Sequence, residues 1–206
     1  MKHILLSTAY FAPVQYYSKL LSGNIIIEKH EHYNKQSYRN RCRIYTANGP
    51  LDLVVPVVRA ENPKIPVTQV EIAYDTLWQK LHFKAIESAY RRSPFFEYYV
   101  DDLIPFFTGH YRYLYDFNTR IMHTVCQLIG LPLKVQESEA YMGNGENIVD
   151  LRDGIHPKVN RQVPDPGFIP PVYTQVFEDR FGFIPNLSIL DMLFNVGPET
   201  VELLAG

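Results

Sequence analysis

Apolar and polar positions fall into short blocks along this chain, and the first blocks predict a strand, a helix and a second strand. Residues 3–7 form a short apolar run and residues 24–28 form a β-branched one, as in buried strands. Residues 11–21 have helical spacing, with Pro13 in the first turn and Gly23 just after the end. This order predicts a βαβ unit with two parallel strands and a right-handed crossover.

The following blocks predict an antiparallel hairpin. Residues 41–46 and 51–58 are strand-like, and the turn between them contains Asn48 and Gly49, a pair typical of hairpins. Pro56 in the second run favours an edge strand or a bulge, because proline cannot donate a ladder hydrogen bond.

Beyond the hairpin, residues 67–74 predict a further strand, after which the apolar spacing becomes helical. The predicted helices cover residues 75–92, 95–106 and 108–129, and a short helix lies near the C-terminus. Glycine and proline interrupt every period over residues 134–181, which predicts an irregular segment with one short strand. Segments of this kind are often functional, and we interpret this one as a lid.

These elements together predict a single α/β domain over residues 1–206. Its mixed sheet would begin with the parallel βαβ unit, gain an antiparallel edge from the hairpin and carry helices packed on the sheet. A chain of 206 residues, of which 46% are hydrophobic and 20% charged, is sufficient for one compact core.

Composition excludes several classes of function. A net charge of -2 gives no basic field, so we expect no nucleic-acid partner. Cys42 and Cys126 lie far apart, which argues against a disulfide framework and a cysteine-based zinc site. No run approaches the ~20 apolar residues that span a bilayer, and the N-terminal apolar run is too short for a signal peptide. We therefore expect a cytoplasmic protein without a membrane span.

The densest group of polar residues, at positions 30–43, directly follows the second predicted strand. Ligands of α/β proteins bind outside the carboxyl ends of such strands. Arg39, Arg41 and Arg43 alternate, so on a strand they would share one face and could clamp a phosphate or carboxylate. The alternative is a solvated edge strand protected by its charges.

His30 and His32 would also share a face if the chain is extended there. With Glu28 or Glu31 they could hold a metal, or they could be a structural pair. We favour a general base, because imidazole exchanges protons near neutral pH, and expect no metal. The signatures of dinucleotide-binding, P-loop and serine-hydrolase proteins do not occur in the sequence, so it names no cofactor.

Two further polar stretches are candidates. Residues 150–158 form a charged turn that could carry Arg152 and Lys158 toward an anion, or could be a solvated loop. Near the C-terminus, polar residues recur at helical spacing and form one stripe. We expect Ser188, Asp191 and Asn195 of this stripe to face the same cleft as Arg41. The alternative is that Ser188 only caps the helix and Asn195 only closes it near Gly197. Its members are Ser188, Asp191, Asn195 and Glu199.

The apolar run over residues 183–199 resembles the closing signature of the WbqC-like protein family. The first strand-to-helix turn resembles that family in Tyr10, Phe11 and Tyr16. Further matching positions are Tyr33, Lys35, Ser37, Asn40, Arg41, Arg43, Ile44, residues 53–57, Trp78, His82, Ile86, Tyr90, Pro94, Phe95 and Asn118. Tyr38 replaces the usual tryptophan, and His30 and His32 stand where the family commonly has aspartate and glutamine.

The resemblance implies a bacterial protein of surface-polysaccharide assembly, particularly of O-antigen. We expect a transferase that moves an acyl or aminoacyl group onto an amino sugar. Its donor would be a phosphorylated or nucleotide-activated small molecule, or a carrier-bound group. The expected catalytic residues are His30, His32 and Asp191, and the expected binding residues are Tyr10, Lys35, Arg39, Asn40, Arg41, Arg43 and Asn195.

The alternative is a non-catalytic module that binds a carbohydrate or a partner protein. Aromatic side chains often line such contacts, and the chain has 15 tyrosines and 12 phenylalanines. In that case Tyr10, Tyr16, Tyr33, Tyr38 and Trp78 would matter more than any general base.

Overall fold

Two small sheets and eight α-helices form the part of the chain that the computed structural model describes, namely residues 2–59, 62, 64–143 and 145–206. The strands are β1 His3–Leu6, β2 Ile25–Ile27, β3 Arg41–Thr46, β4 Gly49–Val54, β5 Val135–Glu137 and β6 Ile148–Asp150. The helices are α1 Val14–Leu20, α2 Trp78–Tyr90, α3 Phe96–Leu103, α4 Pro105–Thr108, α5 Leu114–Leu128, α6 Glu178–Phe181, α7 Ile189–Val196 and α8 Thr200–Ala205.

The first sheet is parallel and has the order β5-β2-β1-β6. Strands β1 and β2 pair directly and α1 connects them, so the predicted βαβ unit is confirmed. The chain runs outward from β1 through β2 to β5 and then returns to the other side of β1 as β6. The strand order therefore reverses between β1 and β6, and such a reversal opens a crevice at the carboxyl ends of the strands.

The second sheet is the predicted antiparallel hairpin, paired in register from Arg41 with Val54 to Thr46 with Gly49. Gly49 has φ +95°, a backbone conformation that favours glycine in the turn. The α/β fold class with helices is confirmed, but the hairpin forms its own sheet and is not an edge of the parallel one. Strand β3 of the hairpin packs against α2 and α7.

Some element boundaries differ from the predictions. Residues 67–74 contain a 3-10 turn, Val67–Gln69, and isolated bridges in place of a strand. The long helix begins at Leu114 and not at residue 108, because α4 is a separate turn. The segment over residues 134–181 supplies two strands of the parallel sheet where one was expected. Three-residue strands are too short to show a period in the sequence.

Helix α7 lies at the centre of the core. Leu190, Met192, Leu193 and Phe194 are fully buried. The Ser188 hydroxyl accepts a hydrogen bond from the Leu190 amide at 3.3 Å and caps the helix, as its sequence position predicts. The same hydroxyl donates to the Phe11 carbonyl at 2.8 Å, so the cap also fastens α7 to the loop after β1.

Replacement of Gly197 by alanine is expected to destabilise the protein by about 2–4 kcal/mol. Gly197 has φ +65°, and an added Cβ would lie 2.5 Å from Cγ of Phe95. Gly182→Ala is the control, because Gly182 has φ +75° but open space around its Cβ position. Urea unfolding should show the larger loss for Gly197→Ala, and equal losses in the two variants would exclude the steric clash.

Candidate functional site

A polar cavity of about 570 Å³ opens at the carboxyl ends of the parallel strands. The loop after β2 contributes Glu31, His32 and Arg39, and the loop after β6 contributes Arg152 and Asp153 to its wall. Tyr33, Asn34, Tyr141, Asp150, Gly154, Arg161 and Val163 complete the lining. The cavity lies where the strand order reverses, as the general rule for α/β proteins predicts.

A buried ion pair forms the inner wall of this cavity. The Arg39 guanidinium donates from Nε and Nη2 to the two Glu31 carboxylate oxygens, at 2.8 and 2.5 Å. Its Nη1 donates to Asp153 at 3.3 Å, and the Ser7 hydroxyl donates to Glu31 at 3.3 Å. Burial alone would lower the pKa of Arg39, but the Glu31 carboxylate outweighs it and raises that pKa. Both members of the pair lie in the loop after β2, and the Ser7 hydrogen bond joins that loop to the end of β1.

A second ion pair also lines this cavity. Arg152 donates from Nε and Nη2 to the Asp150 carboxylate, at 3.0 and 2.5 Å. Burial alone would raise the pKa of Asp150, but the hydrogen bonds from Arg152 lower it. The Arg152 guanidinium also lies 5.1 Å from the ring centre of Tyr141, which is 62% exposed. Tyr141 thus presents an aromatic face that an ordered cation holds in place.

Glu28 holds together the loops that surround the cavity. Its fully buried carboxylate accepts hydrogen bonds from the Ser138 hydroxyl and from the His30 and Met142 amides, each at 2.7 Å. Nη1 of Arg152 lies 3.8 Å from the same carboxylate. One buried carboxylate therefore connects the segments that follow β2, β5 and β6.

The accessible groups of the cavity are at its rim. His32 and Arg161 are exposed, and the Asp153 side chain is 67% exposed. Within the described ranges Arg161 forms no ion pair, whereas Arg39 and Arg152 do. His32 and Arg161 can therefore meet a ligand here without breaking an internal pair. Asp153 is held by Arg39 and Asn34 through Oδ1, which leaves its Oδ2 for a ligand.

The three arginines expected on one face are divided by the structure. Only Arg41 and Arg43 lie on β3, and both donate to the Asp52 carboxylate of β4. Arg39 lies in the 3-10 turn Tyr38–Asn40, which interrupts the alternation and turns its side chain toward Glu31. Arg39 therefore lines the polar cavity, whereas Arg41 does not.

Two other predicted binding residues are buried by internal contacts. The Tyr10 hydroxyl forms a 3.0 Å hydrogen bond with Nδ1 of His82. Burial lowers the pKa of His82 to about 4, so its ring is neutral at neutral pH. Asn40 donates to the Val55 carbonyl at 2.8 Å and fastens the hairpin. Lys35, by contrast, is exposed on the loop after β2.

Asp191 is fully buried, away from the polar cavity. Its carboxylate accepts hydrogen bonds from the hydroxyls of Tyr90 and Tyr173, at 2.9 and 2.8 Å, and from the Gln175 amide at 3.0 Å. Burial raises the pKa of Asp191 to about 6, and these three hydrogen bonds oppose the rise. Asn195 donates to the Asp191 carbonyl at 2.8 Å. Asp191 and Asn195 therefore do not face a cleft shared with Arg41, because their polar atoms form hydrogen bonds with other groups of the protein interior.

The sequence predicts the charged turn at residues 150–158 but does not place Asp150, Arg152 and Asp153 in the site. The missing information was that Ile148–Asp150 is a strand beside β1, which brings the turn to the strand ends. Glu31 was considered only as a metal ligand, and its pairing with Arg39 was not foreseen.

Fold and site together define an α/β protein with a polar cavity where its parallel strand order reverses. The chain belongs to the WbqC-like protein family, whose sequence profile matches residues 8–160 and 167–203, so the family expected from its motifs is confirmed. It is 27% identical over 231 aligned residues to the uncharacterized protein Rv1507c of Mycobacterium tuberculosis, strain H37Rv. That match covers 99% of this chain and 98% of the relative. No solved structure matches the chain.

The described helices give no indication of a membrane span, since none of them is both long and apolar enough to cross a bilayer.

Proposed function

We propose that this protein is a transferase that moves an acyl or aminoacyl group onto an amino sugar during bacterial surface-polysaccharide assembly, in particular that of O-antigen. The observation that carries the proposal is the polar cavity at the strand ends, with an accessible base, carboxylate and cation on one rim. Such cavities are the usual ligand sites of α/β proteins.

The rim residues match the chemistry of an amino-sugar acceptor. The Asp153 carboxylate, 67% exposed, would bind the sugar ammonium, and the exposed Tyr141 ring would pack on a sugar face. Arg161 would bind a phosphate on either substrate. The two internal ion pairs leave the cavity nearly neutral, which suits a polyhydroxylated ligand better than a highly charged one.

His32 is the residue that we assign as general base. It lines the cavity, whereas His30 does not, although both are exposed. The bound ammonium first loses one proton to solvent, because an ammonium nitrogen has no lone pair. His32 would then take a second proton from the neutral amine nitrogen while that nitrogen attacks the donor carbonyl carbon. A carbon–nitrogen bond forms, the bond from the carbonyl carbon to the leaving group breaks, and the leaving group takes up the proton.

The test begins with thermal-shift screening of the full chain against nucleotide-activated sugars, free amino sugars and acyl donors, because a ligand stabilises the folded state it binds. Acceptor and donor pairs that stabilise the protein are then incubated with it, and products are measured by mass spectrometry. His32→Ala is expected to lower turnover by about 10²–10⁴-fold. It should leave the thermal shift with the acceptor intact.

His30→Ala is the matched control and should keep turnover. Arg161→Ala should weaken binding of phosphorylated ligands, and Arg41→Ala should not, because Arg41 is held by Asp52 outside the cavity. Unchanged turnover in His32→Ala, or loss of binding in Arg41→Ala, would contradict this assignment.

The second candidate is a non-catalytic carbohydrate-binding module. The exposed Tyr141 ring, stacked on Arg152, favours it, because an aromatic face is what such modules present to a sugar. Saccharide binding that depends on Tyr141, without any product from any donor, would support the module over the transferase.

A further inference from the structure

A second cavity of about 600 Å³ lies beside the first and differs from it in chemistry. Its wall contains apolar side chains, among them Val159, Phe168 and Pro185, with Tyr38 and Arg43 on one side. Val159 is 79% exposed although it is apolar, so the cavity offers apolar surface to a ligand.

The two cavities are neighbours that meet in the segment after β6. Gly154 and Val163 line both of them. A narrow pocket between them is lined by Arg39 of the first cavity and by Tyr38 of the second. Ser7, Thr8 and Ala9, which follow β1, also line this pocket. This pocket measures only about 10 Å³, so groups held in the two cavities can approach each other along Gly154 and Val163 and not through the pocket.

In the second cavity, hydrogen-bond donors that could bind an anion lie around Arg43 and Tyr38. Arg43 donates from Nε and Nη2 to Asp52, and its Nη1 has no hydrogen-bond partner among the described residues. The Tyr38 hydroxyl likewise has no hydrogen-bond partner there. Burial raises the pKa of Tyr38 to about 12, so this hydroxyl remains a donor at neutral pH.

The amide side chains of this cavity are already engaged, which disfavours recognition of a nucleotide base by its edges. Gln15 donates to Asp165 at 2.8 Å, and Asn186 donates to Gln15 at 3.1 Å. Gln162 donates to the His156 carbonyl at 2.9 Å. The side-chain donors that remain without a partner in the part of the chain that the structure describes are Nη1 of Arg43 and the Tyr38 hydroxyl, which lie beside the apolar side chains of the wall.

We propose that this second cavity is the donor subsite and takes an acyl thioester on a phosphopantetheine arm. The inference rests on the proposed transferase function and names its donor class. Arg43 and Tyr38 bind the phosphate, the apolar side chains contact the arm, and the thioester carbonyl reaches the boundary with the first cavity at Gly154 and Val163. The acceptor nitrogen then bonds to the carbonyl carbon, the carbon–sulfur bond breaks, and the thiolate takes the proton that His32 removed.

The arm can come from free coenzyme A or from a carrier protein, and the experiment separates these sources. Binding of acetyl-coenzyme A, and of an acetylated acyl carrier protein, to the full chain is measured by calorimetry. Arg43→Ala is expected to weaken binding of the accepted source about tenfold or more, since it removes a charge-assisted hydrogen bond. Tyr38→Phe should weaken it less, and acetyl-pantetheine without phosphate should bind weakly and without dependence on Arg43.

Arg41→Ala is the matched control, because Arg41 also pairs with Asp52 but lines neither cavity. Binding of either source with loss in Arg43→Ala alone supports the subsite. Absence of binding by both sources, equal loss in Arg41→Ala, or competition between acetyl-coenzyme A and an amino sugar would overturn it.

The two proposals can fail separately. Arg43-dependent binding of acetyl-coenzyme A without any product would sustain the donor subsite and reject the transferase. Transfer from a different activated donor, with no thioester binding, would sustain the transferase and reject this subsite.

Discussion

Replacing Glu31 by glutamine is expected to destabilise the protein by about 3–5 kcal/mol, because it leaves the Arg39 guanidinium buried without its main counter-charge. The side chains of Arg39 and Glu31 are only 3% and 6% exposed. Asp153 compensates little, since it lies 3.3 Å from Nη1 and is 67% exposed. Urea unfolding followed by circular dichroism measures the free energy of unfolding.

The matched control is Glu71→Gln, which removes the same charge from the exposed pair with Arg112. Exposed pairs are screened by water, so this variant should unfold like the native chain. The double variant Glu31→Leu with Arg39→Met should recover most of the loss, because it leaves no unpaired buried charge. Equal stability of Glu31→Gln and the native chain would refute the inner wall described above.

Asp191 is expected to make the protein lose about 2 kcal/mol of stability as the pH rises from 4 to 7, relative to Asp191→Asn. Burial raises the pKa of its carboxyl to about 6 in the folded state, above the usual value near 4. Between these values the folded chain binds the proton more strongly than the unfolded chain does. The stabilising contribution is therefore complete below about pH 4 and disappears as the pH rises through 6.

The measurement is the free energy of unfolding of both chains across that pH range. Asp165→Asn serves as a control of opposite sign. Burial alone would raise the pKa of Asp165, but Lys19 and Gln15 lower it, and the Lys19 ammonium lies 2.7 Å away. A flat difference between the native chain and Asp191→Asn would mean that the buried carboxyl titrates normally.

The Asp191→Asn variant also shows whether Asp191 has a structural role or a catalytic one. Asp191→Asn should retain transferase turnover where it is folded, because Asp191 lies outside both cavities. The C-terminal signature then acts through structure: Asp191 holds the segment containing Tyr173 and Gln175 against α2 and α7. A selective loss of turnover in a stable Asp191→Asn variant would restore the catalytic role expected from the sequence.

The candidate site was only partly predictable from sequence. The loop after β2 was recognised as functional because polar residues follow a buried strand, and His32 and Arg39 do line the cavity. Arg41 and Arg43 were grouped with Arg39 because they alternate with it. The alternation fails at Ser37, whose hydroxyl accepts the Arg39 amide at 3.4 Å and starts a 3-10 turn.

The sequence by itself determined the elements whose signals are local: the βαβ unit, the hairpin around Gly49, and the terminal helix capped by Ser188. Periodicity, turn chemistry and capping are properties of neighbouring residues, so they can be read without the fold. Only the tertiary structure decided where Asp153 and Asp191 find their partners. Asp153 meets Arg39 across 114 positions of sequence and Asp191 meets Tyr90 across 101. Such contacts follow from strand order and helix packing, and no local pattern encodes them.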